Sequence, residues 1–288
     1  MVIPVYGQWD LVKRNIDSLL KFDPDSIREI IAVDDCSPQP CPYRFDATIV
    51  RIIKNETNLG YTGTVNNGLK HAVSDIIILL DSDAFLLEPV INDIIKTFEK
   101  DDSLGCLGFS TVSEKGVKTG SNQYEPSVFG YIVGQQIEAK ICKLLVNSNA
   151  LILPYSCSVS FRKECLSELG YFDEKTFPVL EADNDLSLRI HQSRWTLKVR
   201  EDIVVCHEGG NSYKVNSKRV ILLHEAKWKL FRKHKKIKHP VFVKLFLELR
   251  IRVELIIMAM LKGSISKLST NDKISGRRKL LKEVMKYN

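Results

Sequence analysis

Two aspartates that follow a run of apolar residues are the clearest candidates for chemistry in this sequence. The stretch 76–83 reads IIILLDSD and ends in Asp81 and Asp83, two positions apart. On an extended chain, such side chains point to the same side. Paired carboxylates are hard oxygen ligands that suit Mg²⁺ or Mn²⁺, and such an ion would hold the phosphates of a nucleotide. Surface turns are also rich in aspartate, so the pair alone leaves a structural role open.

Short apolar runs predict the strands that would position this pair. The run 76–80 is continuously apolar, which predicts a central parallel strand buried on both faces. Three more buried strands are predicted at 2–5, 30–33 and 49–53, and helices follow the first, third and fourth strands, the last starting at Pro89. This order describes a Rossmann-like nucleotide-binding half with parallel strands. Ligands bind at the carboxyl ends of such strands, where Asp81 and Asp83 lie.

Several features exclude other classes of protein. No G-x-G-x-x-G follows the first strand, which argues against a dinucleotide cofactor, and no P-loop motif is present. The seven cysteines lack C-x-x-C spacing, which favours reduced thiols in a cytosolic compartment. Cys106, Cys157 and Cys206 lie in apolar, strand-like settings and are predicted to be small core residues. Met1 runs into VIPVY without the features of a signal peptide.

Charge is distributed unevenly along the 288 residues. Residues 1–210 carry 21 Lys and Arg against 30 Asp and Glu, whereas residues 211–288 carry 21 against 5. The net charge is therefore −9 for the first part and +16 for the tail. A basic block of this kind favours an anionic polymer or an anionic membrane surface as partner. With 44% hydrophobic residues, one main domain plus an extension is expected.

The tail contains a basic cluster at 232–238, followed by VFVKLFLELRIRVELIIMAML at 241–261. This segment is too charged to span a bilayer, but Lys244, Glu248 and Arg252 recur every four residues and leave a broad apolar face. We interpret it as an interfacial helix on an anionic cytoplasmic leaflet. Alternatively, its apolar face packs against the main domain or a second subunit. No nucleic-acid partner is expected, because few aromatic residues interleave the charges.

Blocks along the chain resemble, in order and spacing, the inverting glycosyltransferases of family two. In the first half these are VIPVYG at the start, VDDCSP at 33–38, NLGYTGTVNNGL at 58–69 and LLDSDA at 79–84. In the second half they are SVSFRKECLSELGYFDEKTF at 158–177, EADNDLSLRI at 181–190 and HEGGNS at 207–212. The resemblance implies an α/β protein with the GT-A fold, in which a Rossmann-like half forms part of a mixed sheet.

The resemblance also implies a division of labour along the chain. Residues 1–110 would form the nucleotide-sugar-binding half of a catalytic domain that extends to residue 215. Residues 111–215 would form the acceptor and catalytic half, with an acceptor-binding loop at 111–147. Residues 216–288 lie beyond the resemblance, and their charge and apolar pattern predict a basic, helical, membrane-associating extension.

Inverting transfer from a nucleoside diphosphate needs a cation on the leaving group and a general base for the acceptor hydroxyl. The resemblance places Asp83 and His207 on Mn²⁺ or Mg²⁺, with Asp81 contacting the ribose, the metal or its waters. Asp183 would be the base, and Arg189, six residues later, would form a supporting ion pair.

The sequence departs from the family pattern next to this base. The glutamate that the family has there falls on Ala182, while Glu181 stands one position earlier. Glu181 could supply the missing carboxylate from that position, but one residue near a helix start turns a side chain by about 100°, which argues against equivalence. A structural alternative is that Asp183 and Asp185 are first-turn carboxylates favoured by the helix dipole.

The resemblance assigns the nucleotide to residues after the first three strands. Asp35 would accept a hydrogen bond from the imide N–H of uracil or thymine, which favours UDP or dTDP sugars. Pro4 and Tyr6 would flank the base, with Tyr6 stacked on it. Gly7 stands where the family commonly has Asn.

A loop and helix start would line the nucleotide at Asn58, Gly60 and Asn66. Ordinary turn and cap roles are the alternative for these three residues.

The function implied is a metal-dependent inverting hexosyltransferase acting on a glycan or lipid-linked acceptor. Surface polysaccharide synthesis, at the inner face of the cell membrane, is the expected context, and a homo-oligomer is compatible with it. One alternative is a sugar nucleotidyltransferase, which would need a Gly-rich basic loop that residues 6–10 do not provide. The other is a catalytically idle nucleotide-sugar-binding protein, in which the altered residues 181–182 mark lost chemistry.

Overall fold

A computed structural model describes residues 1–46, 48–134, 137, 151–207, 217–260 and 267–287. The chain forms two compact units. The sheet unit comprises Met1–Glu125 and Leu151–Ser212, and the helical unit comprises Pro126–Ala150 and Tyr213–Asn288. The helical unit thus contains residues 126–150 as well as the basic tail. The predicted functional division into 1–110, 111–215 and 216–288 stays a prediction.

The strands and helices follow the apolar runs of the sequence closely. The described strands are β1 (Val2–Val5), β2 (Ile30–Asp34), β3 (Val50–Lys54), β4 (Ile76–Leu80), β5 (Ala84–Leu86), β6 (Leu104–Val112), β7 (Asn122–Tyr124), β8 (Ile152–Pro154), β9 (Ser158–Arg162) and β10 (Thr196–His207). The described helices are α1 (Trp9–Phe22), α2 (Gly60–His71), α3 (Ile91–Glu99), α4 (Val128–Val133), α5 (Lys163–Leu169), α6 (Ala182–His191), α7 (Ser217–Lys233), α8 (Pro240–Met260) and α9 (Lys267–Val284).

The sheet unit is built on a mixed eight-stranded sheet in the order β3-β2-β1-β4-β9-β6-β10-β5. Strands β1 to β4 run parallel, as predicted. Strand β4 is buried at four of its five residues, and it pairs in parallel with β1 but antiparallel with β9. The carboxyl ends of β1, β2, β4 and β10 therefore meet at one edge of the sheet.

The sheet must curl, because β4 and β5 are close in sequence but far apart in strand order. They stand four places apart, which in a flat sheet is about 19 Å. The chain from Leu80 to Ala84 reaches about 14 Å at most. Curling brings the start of β5 back to the carboxyl end of β4, where Asp81 and Asp83 lie.

Helix α3 begins at Ile91, so the prediction that it starts at Pro89 is wrong by two residues. The buried carboxylate of Asp23 accepts hydrogen bonds from the backbone N–H groups of Val90 and Ile91. This carboxylate satisfies donors that a helix start leaves without a partner, so it determines where the helix begins.

Packing in the sheet unit is close. Helix α1 buries Val12, Ile16 and Leu19 in a core shared with the apolar strands. Helix α2 approaches strands β1 and β2 closely at Gly68, where an added Cβ would come within 2.4 Å of Val2 Cγ1. A larger residue at this position would push α2, and the residues that it carries, away from the sheet.

The helical unit has its own apolar core. It is formed by Tyr131, Trp228, Phe231, Ile237, Val243, Leu247, Ile251, Leu280 and Val284. The helix predicted at 241–261 is α8, and Leu261 lies outside the described residues. Among the helices that the structure describes, none has a stretch long and apolar enough to cross a bilayer.

Candidate active site

Asp81 and Asp83 lie on a turn between β4 and β5. The backbone N–H of Ala84 donates to the carbonyl of Asp81 at 3.0 Å. The expectation that an extended chain aligns the two aspartates is therefore wrong, because strand β4 ends at Leu80. The turn is anchored on both sides: Asp81 N–H donates to the carbonyl of Cys157, and the side chain of Asn15 donates to the carbonyl of Asp81, each at 3.0 Å.

Strand pairing brings His207, which is distant in sequence, to this turn. In the antiparallel pair of β10 and β5, His207 is the register partner of Ala84. Its Nε2 lies 3.3 Å from Asp83 Oδ1 and 3.9 Å from Asp81 Oδ2. One ligand atom from each of the three residues lies within 4.8 Å of the others. The structure thus assembles the three residues that the sequence named around a metal.

The electrostatics of the turn are those of buried, crowded carboxylates. Burial raises the pKa of Asp81 to about 6, and the charges of Asp83 and Asp183 act in the same direction. Burial also opposes ionisation of Asp83, but the hydrogen bond and charge of His207 outweigh it and lower the pKa of that carboxyl. A cation among these groups would favour the charged form of both carboxylates.

The donor set fits a divalent metal. Two carboxylates and one imidazole offer oxygen and nitrogen ligands, a combination accepted by Mn²⁺, whereas Mg²⁺ prefers oxygen alone. Asp83 and His207 are largely buried, with side chains 6% and 15% exposed. Packing therefore restricts the positions of both side chains.

Tyr61 and Ser156 belong to this site and were not singled out in the sequence. The Tyr61 hydroxyl, in the first turn of α2, donates to Asp81 Oδ1 at 2.8 Å and lies 3.1 Å from Ser156 Oγ. The backbone N–H of Ser156 donates to the carboxylate of Asp183. The metal-binding group is therefore linked to Asp183 through Tyr61 and Ser156, whose hydroxyl contacts Tyr61 and whose backbone N–H donates to Asp183. The block NLGYTGTVNNGL contains Tyr61, but nothing local shows which residue its hydroxyl would contact.

Asp183 lies in the first turn of α6, half-buried near the metal-binding group. Burial raises the pKa of its carboxyl, although the backbone N–H groups of Asn184 and Ser156 oppose the shift. Burial also raises the pKa of Tyr155 to about 12, and the charges of Asp183 and Glu181 add to that effect. The surroundings of Asp183 thus favour a carboxylate that accepts protons more readily than an exposed aspartate does.

The residues on either side of Asp183 have structural partners. Glu181 stands at the helix start with φ 68° and accepts a hydrogen bond from Asn184 Nδ2 at 2.7 Å. Ala182 is 5% exposed and packs in the core. Asp185 is fully buried and pairs with Arg189 at 2.9 Å, while that guanidinium also donates to the carbonyls of residues 169 and 171. The predicted ion pair of Arg189 is therefore present, and its partner is Asp185.

The candidate base-binding residue Asp35 follows β2 and is buried. Its Oδ1 accepts hydrogen bonds from Asn55 Nδ2 at 2.9 Å and from Leu59 N–H at 2.7 Å. A carboxylate has further acceptor capacity beyond these two bonds. Asn58 donates to the carbonyl of Asp35 and accepts from the N–H of Gly60, which has φ 72°. These contacts fasten the loop before α2, at Asn58 and Gly60, to Asp35 at the end of β2.

The first strand contributes an exposed aromatic ring beside this loop. Tyr6 is 57% exposed at the end of β1, and the N–H of Asp35 donates to the carbonyl of Val5 at 2.8 Å. Pro4 is buried within β1, where it is the register partner of Val33. The N–H of Gly7 donates to Ser37 Oγ. Tyr6 therefore has open space for a ligand, whereas Pro4 is part of the sheet.

Asn66 lies in a different environment. It is buried, and its amide donates to the carbonyl of Phe172 and to the carboxylate of Glu174 while accepting from the N–H of Phe172. Thr62, one turn earlier, bonds to the carbonyls of residues 177 and 178. These bonds fasten α2 to the segment before α6, in keeping with the structural alternative for Asn66.

Some predicted features lie outside the described residues. These are the part of HEGGNS after His207 and, apart from residue 137, the part of the expected acceptor loop from 135 to 147.

The three cysteines predicted to be core residues, Cys106, Cys157 and Cys206, are all buried. Burial raises the pKa of the Cys157 thiol, and the charges of the nearby carboxylates add to this, so it stays protonated beside the metal-binding group.

Comparison with known families gives a match over the first part of the chain. Residues 1–163 match the family model described as glycosyl transferase family 2. No curated protein sequence matches the chain.

Solved structures with the same fold include three transferases. A mannosyltransferase, PcManGT from Pyrobaculum calidifontis in complex with GDP-Man and Mn²⁺, superimposes with a TM-score of 0.59 at 13% identity, over 99% of this chain and 84% of that one. S. aureus TarS in complex with UDP-GlcNAc gives 0.54 at 15% identity, over 98% and 80%. GalNAc-T7 with UDP, GalNAc and Mn²⁺ gives 0.55 at 16%, over 81% and 49%. These similarities confirm the predicted GT-A fold.

Proposed function

The chain belongs to glycosyl transferase family 2, and we propose that it is a metal-dependent inverting glycosyltransferase of the hexosyl type. It would transfer a sugar from a nucleoside diphosphate to a glycan or lipid-linked acceptor. The observation that carries the proposal is the convergence of Asp81, Asp83 and His207 at one edge of the sheet, close enough to Asp183 to raise the pKa of Asp81. Mn²⁺ in two of the similar structures supports a metal at this group.

The proposed roles follow from what each group can do. A divalent cation held by Asp81, Asp83 and His207 would neutralise the charge that develops on the departing diphosphate. Asp183 takes the proton of the acceptor hydroxyl, whose oxygen forms a bond to the anomeric carbon. The bond from that carbon to the diphosphate oxygen breaks, and the nucleoside diphosphate leaves with the electron pair. Attack from the opposite face inverts the anomeric configuration.

The nucleotide is proposed to bind at the loop around Asp35. Its carboxylate accepts from the imide N–H of uracil or thymine, and the exposed ring of Tyr6 stacks on the base. Asn58 and Gly60 hold the loop in position, as their mutual hydrogen bond supports. Pro4 and Asn66 act from behind this surface, since both are buried. UDP or dTDP sugars are therefore the proposed donors.

The remaining features of the proposal concern context. Residues 1–110 serve the nucleotide sugar, and residues 111–215 serve the acceptor. We place the protein at the inner face of the cell membrane, because the net charge of +16 on residues 211–288 favours an anionic surface. The proposed context of surface polysaccharide synthesis rests on the family resemblance alone.

One alternative function is a nucleotide-sugar-binding protein without turnover. The buried Ala182 favours it, since the family glutamate expected there is replaced by a residue that has no acid–base chemistry. The intact path from Asp81 through Tyr61 and Ser156 to Asp183 favours the active enzyme.

A donor screen tests the proposal. The purified chain is incubated with Mn²⁺ and with UDP, dTDP or GDP sugars, and release of nucleoside diphosphate is followed with and without a membrane extract as acceptor. We expect release from one uridine or thymidine donor, loss of release with chelator, and recovery when Mn²⁺ is added back. NMR of the product reports whether the anomeric configuration is inverted.

Three results would reject the proposal. Nucleotide binding without turnover of any donor would identify an idle binding protein. Pyrophosphate release from a nucleoside triphosphate and a sugar phosphate would identify a nucleotidyltransferase. Retention of the anomeric configuration would reject the inverting role of Asp183.

A further inference from the structure

Helix α8 is apolar on two faces. One face packs in the core of the helical unit through Val243, Leu247 and Ile251, which are 8%, 0% and 0% exposed. This packing accounts for the apolar face that a helix of a small domain needs. It leaves the apolar residues of the other face without an explanation.

The second face is exposed along the whole helix. We call it the outer stripe, and it consists of eight residues that are 45% to 79% exposed: Phe242, Leu245, Phe246, Leu249, Val253, Ile256, Ile257 and Met260. They recur at steps of three and four residues, so they form one line along the helix. From residue 242 to residue 260 this line is about 27 Å long. Contiguous exposed apolar surface of this extent marks an interaction site.

Three of the five charged side chains of α8 bond within the helical unit. Lys244 donates to the carbonyls of residues 285 and 287, and Arg250 donates to the carbonyls of Tyr131 and Ile132. Glu254 pairs with Arg250 and with Arg277. Among the residues of α8, all of which the structure describes, Arg252 alone carries an exposed charge. None of the five charges of the helix falls on a position of the outer stripe, and Arg252, three residues after Leu249 and four before Ile256, lies along its edge.

Positive charge flanks the outer stripe. The basic cluster 232–238 ends two residues before α8 begins, and Arg232, Lys233, Lys235 and Lys238 in it are exposed. Exposed basic side chains of α9 are Lys273, Arg278, Lys279 and Lys282. A second copy docked on this face would bring two tails of net charge +16 together. An anionic lipid surface offers the apolar layer and the opposite charge at once.

We propose that the outer stripe is a membrane-binding face, which lies in the plane of an anionic leaflet with the basic cluster 232–238 on the lipid headgroups. An in-plane helix buries its apolar face about 5–10 Å into the boundary between headgroups and acyl chains. The outer stripe would be the surface that holds the protein at the membrane. The proposal rests on the membrane localisation proposed above, but not on the transfer reaction.

Vesicle sedimentation tests the proposal. The full chain is mixed with vesicles of phosphatidylcholine that contain phosphatidylglycerol, or with phosphatidylcholine alone, at low and high ionic strength. We expect binding to the anionic vesicles and weaker binding at high salt. Leu249→Glu should lower the partition coefficient at least about 30-fold, because an apolar contact is replaced by a charge of the same sign as the lipid.

Leu222→Glu is the matched control, since Leu222 is a comparably exposed leucine of α7 outside the outer stripe. Circular dichroism and analytical ultracentrifugation without lipid accompany both variants. Equal binding by Leu249→Glu and wild type, or equal loss in the two variants, overturns the proposal. So does an oligomer in solution that only Leu249→Glu dissociates, which would make a second copy the occupant. Nucleotide release by the same samples without lipid separates a failure of this proposal from a failure of the proposed activity.

Discussion

The sheet unit buries acidic side chains, whereas the helical unit exposes apolar ones. In the sheet unit, Asp83 is 6% exposed and Asp185 is fully buried, and both have hydrogen-bonded or charged partners. In the helical unit, α8 exposes the eight apolar side chains of the outer stripe, while Lys244, Arg250 and Glu254 bond within the unit. Each arrangement costs folding free energy that an ordinary domain would avoid.

This contrast shows two ways in which a chain can give up stability for function. Burial raises the pKa values of Asp81 and Asp183, and shifted carboxylates of this kind, grouped beside potential metal ligands, indicate chemistry. Exposed apolar residues are favoured by a partner surface, so they indicate binding. Substitutions in the candidate active site should therefore affect turnover, whereas substitutions in the helical unit should affect association or stability.

The largest effect is expected for Asp183→Asn. Asparagine keeps the size and hydrogen-bonding oxygen of the side chain but cannot take the acceptor proton, so kcat should fall by about 10²–10⁴. Donor affinity and melting temperature should change little. Asp185→Asn should leave kcat of the folded protein little changed. It should lower the free energy of unfolding by roughly 3 kcal/mol, because Arg189 loses its buried charged partner. Equal losses of rate in the two folded variants would remove the special role of Asp183.

Asp83→Ala should lower turnover by about 10²–10³, because a ligand of the metal-binding group is lost. Excess Mn²⁺ should restore part of the rate. Asp93→Ala, at an exposed carboxylate of α3, is the control and should behave as wild type. Initial rates over a Mn²⁺ titration give the comparison, and an unchanged titration curve for Asp83→Ala would contradict the assignment.

Tyr61→Phe should raise the Mn²⁺ concentration for half-maximal activity about tenfold. The hydroxyl holds Asp81 Oδ1, and removing a group that orients a metal ligand typically costs 10- to 100-fold in affinity. Tyr43→Phe removes a similar hydroxyl from the exposed Asp10 and serves as the matched control. Identical Mn²⁺ dependence in the two variants would show that Tyr61 does not position Asp81.

The smallest effect concerns acid stability of the helical unit. Burial lowers the pKa of His224 from 6.5 to about 3, and the charges of Arg250, Arg277 and Lys227 act in the same direction. The unfolded chain therefore takes up a proton below pH 6.5 that the folded chain rejects. The contribution of neutral His224 to the free energy of unfolding is fully present above pH 6.5. It falls by roughly 1.4 kcal/mol for each pH unit between pH 6.5 and about pH 3.

His224→Phe should remove this contribution. Urea unfolding of wild type and variant at pH 7.5 and at pH 5.5 measures it. A loss of stability on acidification that is the same in both proteins would show that His224 is not its source.

Much of the sheet unit could be predicted from the sequence. Strands β1 to β4 are runs of apolar residues that only a buried strand accommodates, and each boundary came within one residue of the structure. The candidate metal ligands were named because they follow such strands in family-like blocks. The path through Tyr61 and Ser156 was missed, since a tyrosine in a helix start has no local feature that reveals a contact 95 residues away.

The sequence by itself determined the periodic and local features of this protein. Apolar runs specify strands, the block order specifies the family, and the uneven distribution of charge separates a basic tail. The tertiary structure decided which distant groups meet. His207 reaches Asp83 through the pairing of β10 with β5, and one apolar face of α8 takes the core while the outer stripe does not. Both outcomes depend on packing between residues far apart in sequence, which no local pattern encodes.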